Sequence, residues 1–334
     1  MESPLLPILR RHIEMSGPLG LDTYMQLCLH HDPHGYYFSG GGFGREGDFI
    51  TAPEISPLFG QALARWVNEE WQALGEPERW RLVELGPGRG TLLTSLWPHI
   101  DRAPEVLSLV EASPALQQQI SDRLAPYVVP SFVSTLGELP ESDLPTLIIG
   151  NEYLDALPIR QFRRQGDEVS EICVGLDTEG GLTFLQRASQ LPCPLPEGQE
   201  GYWEVGLAAQ HQLDFLCNDL KATSGAILLI DYGYRELPGR PTLQALANHE
   251  QISPLEQPGQ ADLTALVDFG TLARKVATKE LSPYLESQAD LLLRLGFAEL
   301  LEARPDQAAA CARLLREDAM GTLFQALSFR AARP

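Results

Sequence analysis

The chain has 334 residues, 44% of them hydrophobic and 21% charged, with a formal net charge of −20. That length suffices for one large core or two joined ones. The negative charge excludes a general nucleic-acid binder, because no basic patch is visible to offset repulsion from a phosphate backbone, and apolar runs such as Ala226–Ile230 fall far short of the roughly 20 residues that cross a bilayer.

The N-terminus "MESPLLPILRRHIEMSG" has no basic start followed by a continuous apolar stretch, so it reads as a helix of the mature protein rather than a secretory signal. Cys28, Cys173, Cys193, Cys217 and Cys311 are scattered, odd in number and without C-x-x-C spacing, which fits neither a disulfide framework nor a zinc site. A reducing cytoplasm is the simplest compartment. The acidity favours a cationic substrate or a basic partner; keeping the protein soluble explains it equally well.

In chain order, residues 1 to about 78 are expected to form a helical and loop segment. It includes "HHDPHGYY", whose His30, His31 and His34 read as turn residues beside Pro33 and Gly35, so no metal is expected there. The glycine-rich stretch from Ser39 to Asp48 is too rich in glycine for regular structure. A helix follows, with Ser56 as cap, Pro57 in the first turn, and Leu58, Phe59, Ala62, Leu63, Trp66 and Val67 on one face. From Arg81 the rhythm becomes strand, turn, helix: "RLVEL", a glycine turn, "TLLTSLWPHI", then "VLSLV" and a helix starting at Ser113-Pro114. "TLIIG" and "AILLIDYG" are all-apolar, as expected of strands covered by helices on both faces. Between them, residues about 160–204 alternate polar and apolar around Gly180-Gly181 and read as an inserted β element with a hairpin. Helices are predicted over about 262–277, 286–295 and 306–329, and "FAELLEA" (297–303) as a late strand. The fold class is therefore α/β, a Rossmann-like sheet over 79–334 with an N-terminal helical and lid segment over 1–78 and the β insertion.

The turn after "RLVEL" carries the chemistry. Gly86, Gly88 and Gly90 let bare backbone approach a ligand at a strand end, as in doubly wound nucleotide-binding sheets. A dinucleotide site would want a third small residue where Thr91 stands, and Glu84 would oppose a pyrophosphate. The same carboxylate would attract an ammonium. S-adenosylmethionine is phosphate-free and carries both an ammonium and a sulfonium, so it fits E-x-G-x-G-x-G better. Glu111 lies 25 residues after Gly86, close to the offset of roughly 20 at which an acid meets ribose hydroxyls in such folds; a helix-start acid beside Ser113 would give the same pattern. A third cluster, "NEYLDALPIRQF", places Asn151, Glu152 and Asp155 at the carboxyl edge of the sheet, as reaction-orienting groups or as a strand-end turn closed by local hydrogen bonds.

Five blocks, "GREGDFITAPEISPLFG", "VELGPGRGTL", "GNEYLDALPIRQF", "LLIDYG" and "DLTALVDF", together resemble the MidA family, and the likeness runs from "HHDPHGYY" to "MGTLFQAL", nearly the whole chain. The resemblance implies a class I, Rossmann-like methyltransferase fold using S-adenosylmethionine and acting on a protein, on arginine in the mitochondrial branch, where a respiratory-complex subunit is the implied partner. It matches Gly86, Gly88, Gly90 and Glu111 to cofactor positions and makes the block with Thr51 and Glu54 a lid. His249 matches a family histidine, for which a substrate contact and a packing or solvent role are equally compatible, whereas Leu266 stands where members commonly carry His. Arginine is fully protonated at neutral pH, so carboxylates must hold it and take up its proton. Glu152 and Asp155 are assigned that role, with Asp231 and Tyr232 lining the same pocket. A homodimer is compatible with the sequence. A scaffold that has kept the cofactor fold and a dinucleotide oxidoreductase are the competing functions.

Overall fold

The computed structural model describes residues 3–38 and 50–332. The glycine-rich stretch and the start of the lid block, through Phe49, lie outside the described residues. The chain divides into two compact units that interleave in sequence. The sheet unit is Ile50–Leu154, His211–Gly233 and Phe269–Pro334; the N-terminal unit is Met1–Phe49, Asp155–Gln210 and Tyr234–Asp268. The division therefore differs from the expected boundary at residue 78. Helix Pro57–Ala73 belongs to the sheet unit, and the β insertion shares a unit with the first helices. The reason is burial. Leu5, Leu9, Leu21, Tyr24 and Met25 are fully buried in one cluster with Ile172 and Val174 of the insertion, whereas Phe59, Leu63 and Trp66 are buried with Leu82, Leu109 and Leu147 of the parallel strands.

In the sheet unit the strands are β1 (Arg81–Leu85), β2 (Val106–Val110), β3 (Ser131–Val133), β4 (Thr146–Asn151), β5 (Gly225–Tyr234), β6 (Tyr284–Ser287) and β7 (Phe324–Ala331). Their order across the sheet is β3-β2-β1-β4-β5-β7-β6. The pairs from β3 through β5 are parallel; β7 runs antiparallel to both β5 and β6. After β1 the chain adds strands toward one edge and then, with β4, toward the other, so the topological switch point lies at the carboxyl ends of β1 and β4. Register places Leu85 beside Gly150 there. At the opposite end of β1, the buried Arg81 guanidinium pairs with Asp219 at 2.7 Å and donates to Thr146 Oγ1 and Pro140 O, so the cation that starts the strand is neutralised away from the switch point.

Ser56 caps helix α1 (Pro57–Ala73) by accepting the Leu58 N–H, as predicted. Helix α2 (Thr91–Leu96) follows the glycine turn and tightens into a 3₁₀ turn at Trp97–His99, where Pro98 interrupts the ladder. The hairpin around Gly180-Gly181 forms as expected, Glu168–Leu176 pairing antiparallel with Leu182–Ala188.

The C-terminal third departs from the pattern reading. Phe297–Ala303 is a helix, not a strand: Ala, Glu and Leu are strong helix formers, and Gly296 at φ 70° turns the chain into it. The single helix predicted over 306–329 is instead Ala308–Leu315, Met320–Leu323 and then β7, and the one over 286–295 is preceded by β6. The segment expected to be helical from about 262 begins with the short strand Asp262–Thr264, and its helix is Phe269–Thr278. Strand pairing decides these cases. Phe324–Ala331 becomes extended because β5 and β6 offer it ladders on both sides, from Gly225↔Ala331 to Tyr232↔Phe324 on β5.

Candidate active site and family

The glycine turn leaves β1 with Gly86, Gly88 and Gly90 all in the left-handed region, at φ 61°, 53° and 73°. Gly86 is fixed twice over. A side chain would be strained at that φ, and a Cβ would lie 2.8 Å from Cδ2 of Tyr153. The ring of Tyr153, just past β4, thus packs on the bare turn after β1.

Glu84 is on β1, only 4% exposed, and its Oε2 has no hydrogen-bond partner among the described residues. Burial pushes its carboxyl up to about 8. A buried, unsatisfied carboxylate is costly unless a bound group supplies the missing donor or charge. Glu111, just beyond β2, accepts the Ser113 N–H at 2.8 Å through Oε1. Burial pushes it up to about 7, against the lowering effect of the backbone donors at Ser113 and Ala112. Helix-start acid and ligand acid are thus compatible descriptions of Glu111.

At the end of β4, Asn151 is buried and its Nδ2 donates to Glu152 Oε1 at 3.0 Å, leaving Asn151 Oδ1 without a partner among the described residues. A carboxylate only accepts, so this bond also fixes the orientation of the amide. Glu152 sits at φ 53°, in the left-handed region that a non-glycine residue adopts at a cost of about 1–3 kcal/mol. Its Oε1 also accepts the Ala52 N–H at 2.8 Å, which ties the short helix Ala52–Ile55 to this strand end. Thr51 and Glu54 cap that helix locally, Glu54 Oε2 accepting the Thr51 N–H at 3.4 Å.

Asp231 does not line a pocket. It is fully buried on β5, with Oδ2 accepting the N–H groups of Tyr153 and Leu154 at 3.0 and 2.7 Å and Oδ1 accepting that of Tyr232 at 2.8 Å. It holds the turn after β4 in place. Asp231→Asn turns an N–H donor toward those donors and is expected to destabilise the chain by about 1–3 kcal/mol, read as a lowered melting temperature; a melting temperature unchanged from wild type would contradict the clamp.

The remaining predicted residues separate. The Tyr232 ring packs at 5.6 Å from that of Phe324. Asp155 belongs to the N-terminal unit. There its carboxyl is pushed up to about 6 by burial, and the Tyr37 phenol is raised first by its own burial and then by the charges of Asp262 and Asp155, its hydroxyl meeting Asp262 Oδ1 at 3.4 Å. His30 packs against Tyr37, and His31 stacks on His34. His249, at φ 64°, is the exposed tip of the hairpin Gln244–Ala247/Glu250–Ile252; with Asn248 at φ 53° it makes the two-residue turn that matches strand twist. Its fixed geometry is that of a turn.

A bare glycine turn flanked by the buried Glu84 and by Glu111 thus stands at the switch point, and the sequence comparison settles the family. Residues 62–285 match the profile of the family described as "Putative S-adenosyl-L-methionine-dependent methyltransferase". The chain belongs to this family. It is an S-adenosylmethionine-dependent methyltransferase, and its fold is the class I methyltransferase fold. Among its relatives, the "Protein arginine methyltransferase NDUFAF7 homolog, mitochondrial" of Caenorhabditis elegans is 33% identical, with 86% of this chain and 75% of that one aligned. "Protein arginine methyltransferase NDUFAF7, mitochondrial" of Homo sapiens is 30% identical over 92% of this chain and 77% of that one. A crystal structure from Burkholderia thailandensis, bound to S-adenosyl-homocysteine, superposes with a TM-score of 0.83 at 28% identity, covering 98% of this chain and 91% of that one.

These relatives correct one expectation. The cytoplasmic placement drawn from unpaired cysteines is overturned, since the animal methyltransferases are mitochondrial. Free thiols report a reducing environment, which more than one compartment supplies. Among the described residues no helix is long and apolar enough to cross a membrane.

The residues present fit the cofactor: an unsatisfied buried carboxylate at Glu84 suits its ammonium, and the bare Gly86–Gly90 turn admits its nucleoside without phosphate. Sequence reasoning missed Tyr153. It stood in plain view inside "GNEYLD", but nothing in the sequence shows that its ring lies on Gly86.

Proposed function

We propose that the enzyme methylates an arginine side chain of a protein, with Glu152 as the residue that holds the guanidinium and accepts its proton. The observation that carries this reading is the placement of Glu152: a carboxylate held at φ 53° on the carboxyl end of β4, the strand paired with β1, and anchored by Ala52 N–H and Asn151 Nδ2. Strained, over-determined backbone of this kind concentrates at functional sites. The names of the animal relatives support the same acceptor.

When bound, S-adenosylmethionine supplies a methyl group already activated by its sulfonium. The chain's own residues then have two tasks. Orientation of the acceptor nitrogen is worth on the order of 7–11 kcal/mol, and Asp231 serves it by fixing the turn that carries Glu152 and Tyr153. Proton acceptance falls to Glu152: as the guanidinium nitrogen gains the methyl carbon, that carbon's bond to sulfur would break with its electron pair left on sulfur, and the nitrogen's proton would pass to the carboxylate. The family assignment sets aside the dinucleotide and scaffold readings.

The test is transfer of labelled methyl groups into an extract from cells lacking this protein, followed by mass spectrometry of the labelled chain. Methylarginine in a protein is the expected product. Label confined to another residue type or to small molecules would overturn the arginine reading.

A further inference from the structure

One edge of the β insertion in the N-terminal unit is open. Strand Leu182–Ala188 pairs along its whole length with Glu168–Leu176 and has no second strand beside it among the described residues. The bonds at its two ends, Asp177 N–H to Gly181 O and Ser189 N–H to Val169 O, fix the alternation: odd-numbered residues face the hairpin partner, so Phe184 and Gln186 turn their N–H and C=O groups outward. Exposed edges are normally blunted by proline, lysine or a bulge, because a row of unpaired backbone groups invites another strand. This strand carries neither proline nor lysine. Its only charge, Arg187, is bound to Glu171 at 2.7 Å, and Phe184 and Leu185 stand 43% and 38% exposed.

Beside the edge lies a cavity of about 280 Å³, on the sheet face that Phe184 and Gln186 share with Ile172 and Tyr202, and walled also by Leu243 and Pro254. The Tyr24 hydroxyl holds the Pro254 carbonyl at 2.8 Å, so that wall is set before anything binds. The space suits roughly one or two large apolar side chains and is small for a cofactor-sized molecule. Exposed carboxylates flank the strand at both ends: Asp177 and Glu179 in the hairpin turn, Asp167 and Glu168 where the partner strand begins. We infer that this edge docks the protein acceptor: an extended segment of it adds to the sheet at Phe184 and Gln186, places a large apolar side chain in the cavity, and sets basic residues toward the flanking carboxylates. The inference rests on the reading that the acceptor is a protein. A second copy of the chain fits worse, since pairing two identical edges in either direction would set the acids of one against those of the other.

The probe is a fluorescein-labelled peptide with a central phenylalanine in an alternating Thr-Val stretch and arginines at both ends, titrated by anisotropy against the full chain. Gln186→Pro deletes an outward N–H and no ladder bond, and Phe184→Ala opens the cavity wall. Each is expected to weaken the peptide by about 5–20-fold, and to slow methyl transfer into extract proteins at limiting acceptor by a similar factor, with S-adenosyl-homocysteine affinity unchanged. Phe184→Ala alone suffices should the proline variant fold poorly. A peptide that fails to bind the wild-type chain, that binds every folded variant as tightly, or that binds as well with aspartates in place of its arginines would overturn the inference. So would full transfer into extract proteins by variants that have lost the peptide, and so would a wild-type dimer that Gln186→Pro makes monomeric, which would give the edge to a second copy. Peptide affinity does not depend on which residue type receives the methyl group, so this outcome is separate from that of the labelling experiment.

Discussion

Glu152→Gln is expected to slow methyl transfer by about 10²–10⁴-fold, the usual worth of a positioned general base, while leaving cofactor affinity within about twofold. The separation follows from the geometry. Two hydrogen bonds that anchor the Glu152 side chain end on one atom, Oε1, which accepts from Ala52 N–H and from Asn151 Nδ2. A glutamine carbonyl can accept the same two donors, so the turn and the helix Ala52–Ile55 keep their anchor. What glutamine lacks is the charge that balances a guanidinium and the basicity to take its proton. Glu152→Ala is the informative contrast, because it also frees the Ala52 N–H and is expected to lower stability. Single-turnover rates at saturating cofactor, beside binding titrations, check the pair; near-normal turnover in Glu152→Gln would remove Glu152 from the chemistry.

Glu84→Gln is expected to weaken S-adenosylmethionine by about 10–100-fold, since hydrogen bonds to charged groups contribute roughly 1.5–3 kcal/mol. The same change is expected to stabilise the cofactor-free protein at pH 8 by about 1–2 kcal/mol, because it removes a desolvated acid with an unsatisfied oxygen. The signs follow from proton linkage. With its pKa raised from 4.5 to about 8, folded Glu84 binds more protons than the unfolded chain across that window, so its contribution to stability falls as pH rises through it. A cationic ligand favours the ionised form. Binding should therefore release protons near pH 7–8 and tighten as pH rises, with Glu111, raised to about 7, contributing on the lower side. Calorimetry in buffers of different ionisation enthalpy measures the release. A wild-type affinity flat between pH 6.5 and 8.5 would contradict the assignment, and the Glu84 share of the slope should vanish in the variant.

The parallel half of the fold was legible in the sequence because its signals are local. "TLIIG" and "AILLI" are all-apolar runs, as expected of strands covered on both faces, "RLVEL" and "VLSLV" are short extended segments bounded by turns, and Ser56-Pro57 and Ser113-Pro114 announce helix starts through residue type and proline geometry. The cofactor class was legible for the same reason. Three glycines and an acid at fixed spacing state the charge and the bareness of a turn without reference to anything distant. The β6 and β7 strands were not legible, since Phe324–Ala331 is extended only because β5 and β6 pair with it, and such pairing depends on residues about 40–100 positions away.

Composition and local spacing by themselves determined the α/β class, the glycine turn and the sulfonium-bearing cofactor, because each depends on a few consecutive residues and the charge they carry. Only the tertiary structure decided the work of individual side chains. It made Asp231 a buried clamp on the turn after β4, placed Asp155 beside Tyr37 in the other unit, made His249 a hairpin tip, and set Tyr153 on Gly86. A side chain's role depends on which atoms it meets and how much water it loses, and both are consequences of long-range packing that no stretch of sequence contains.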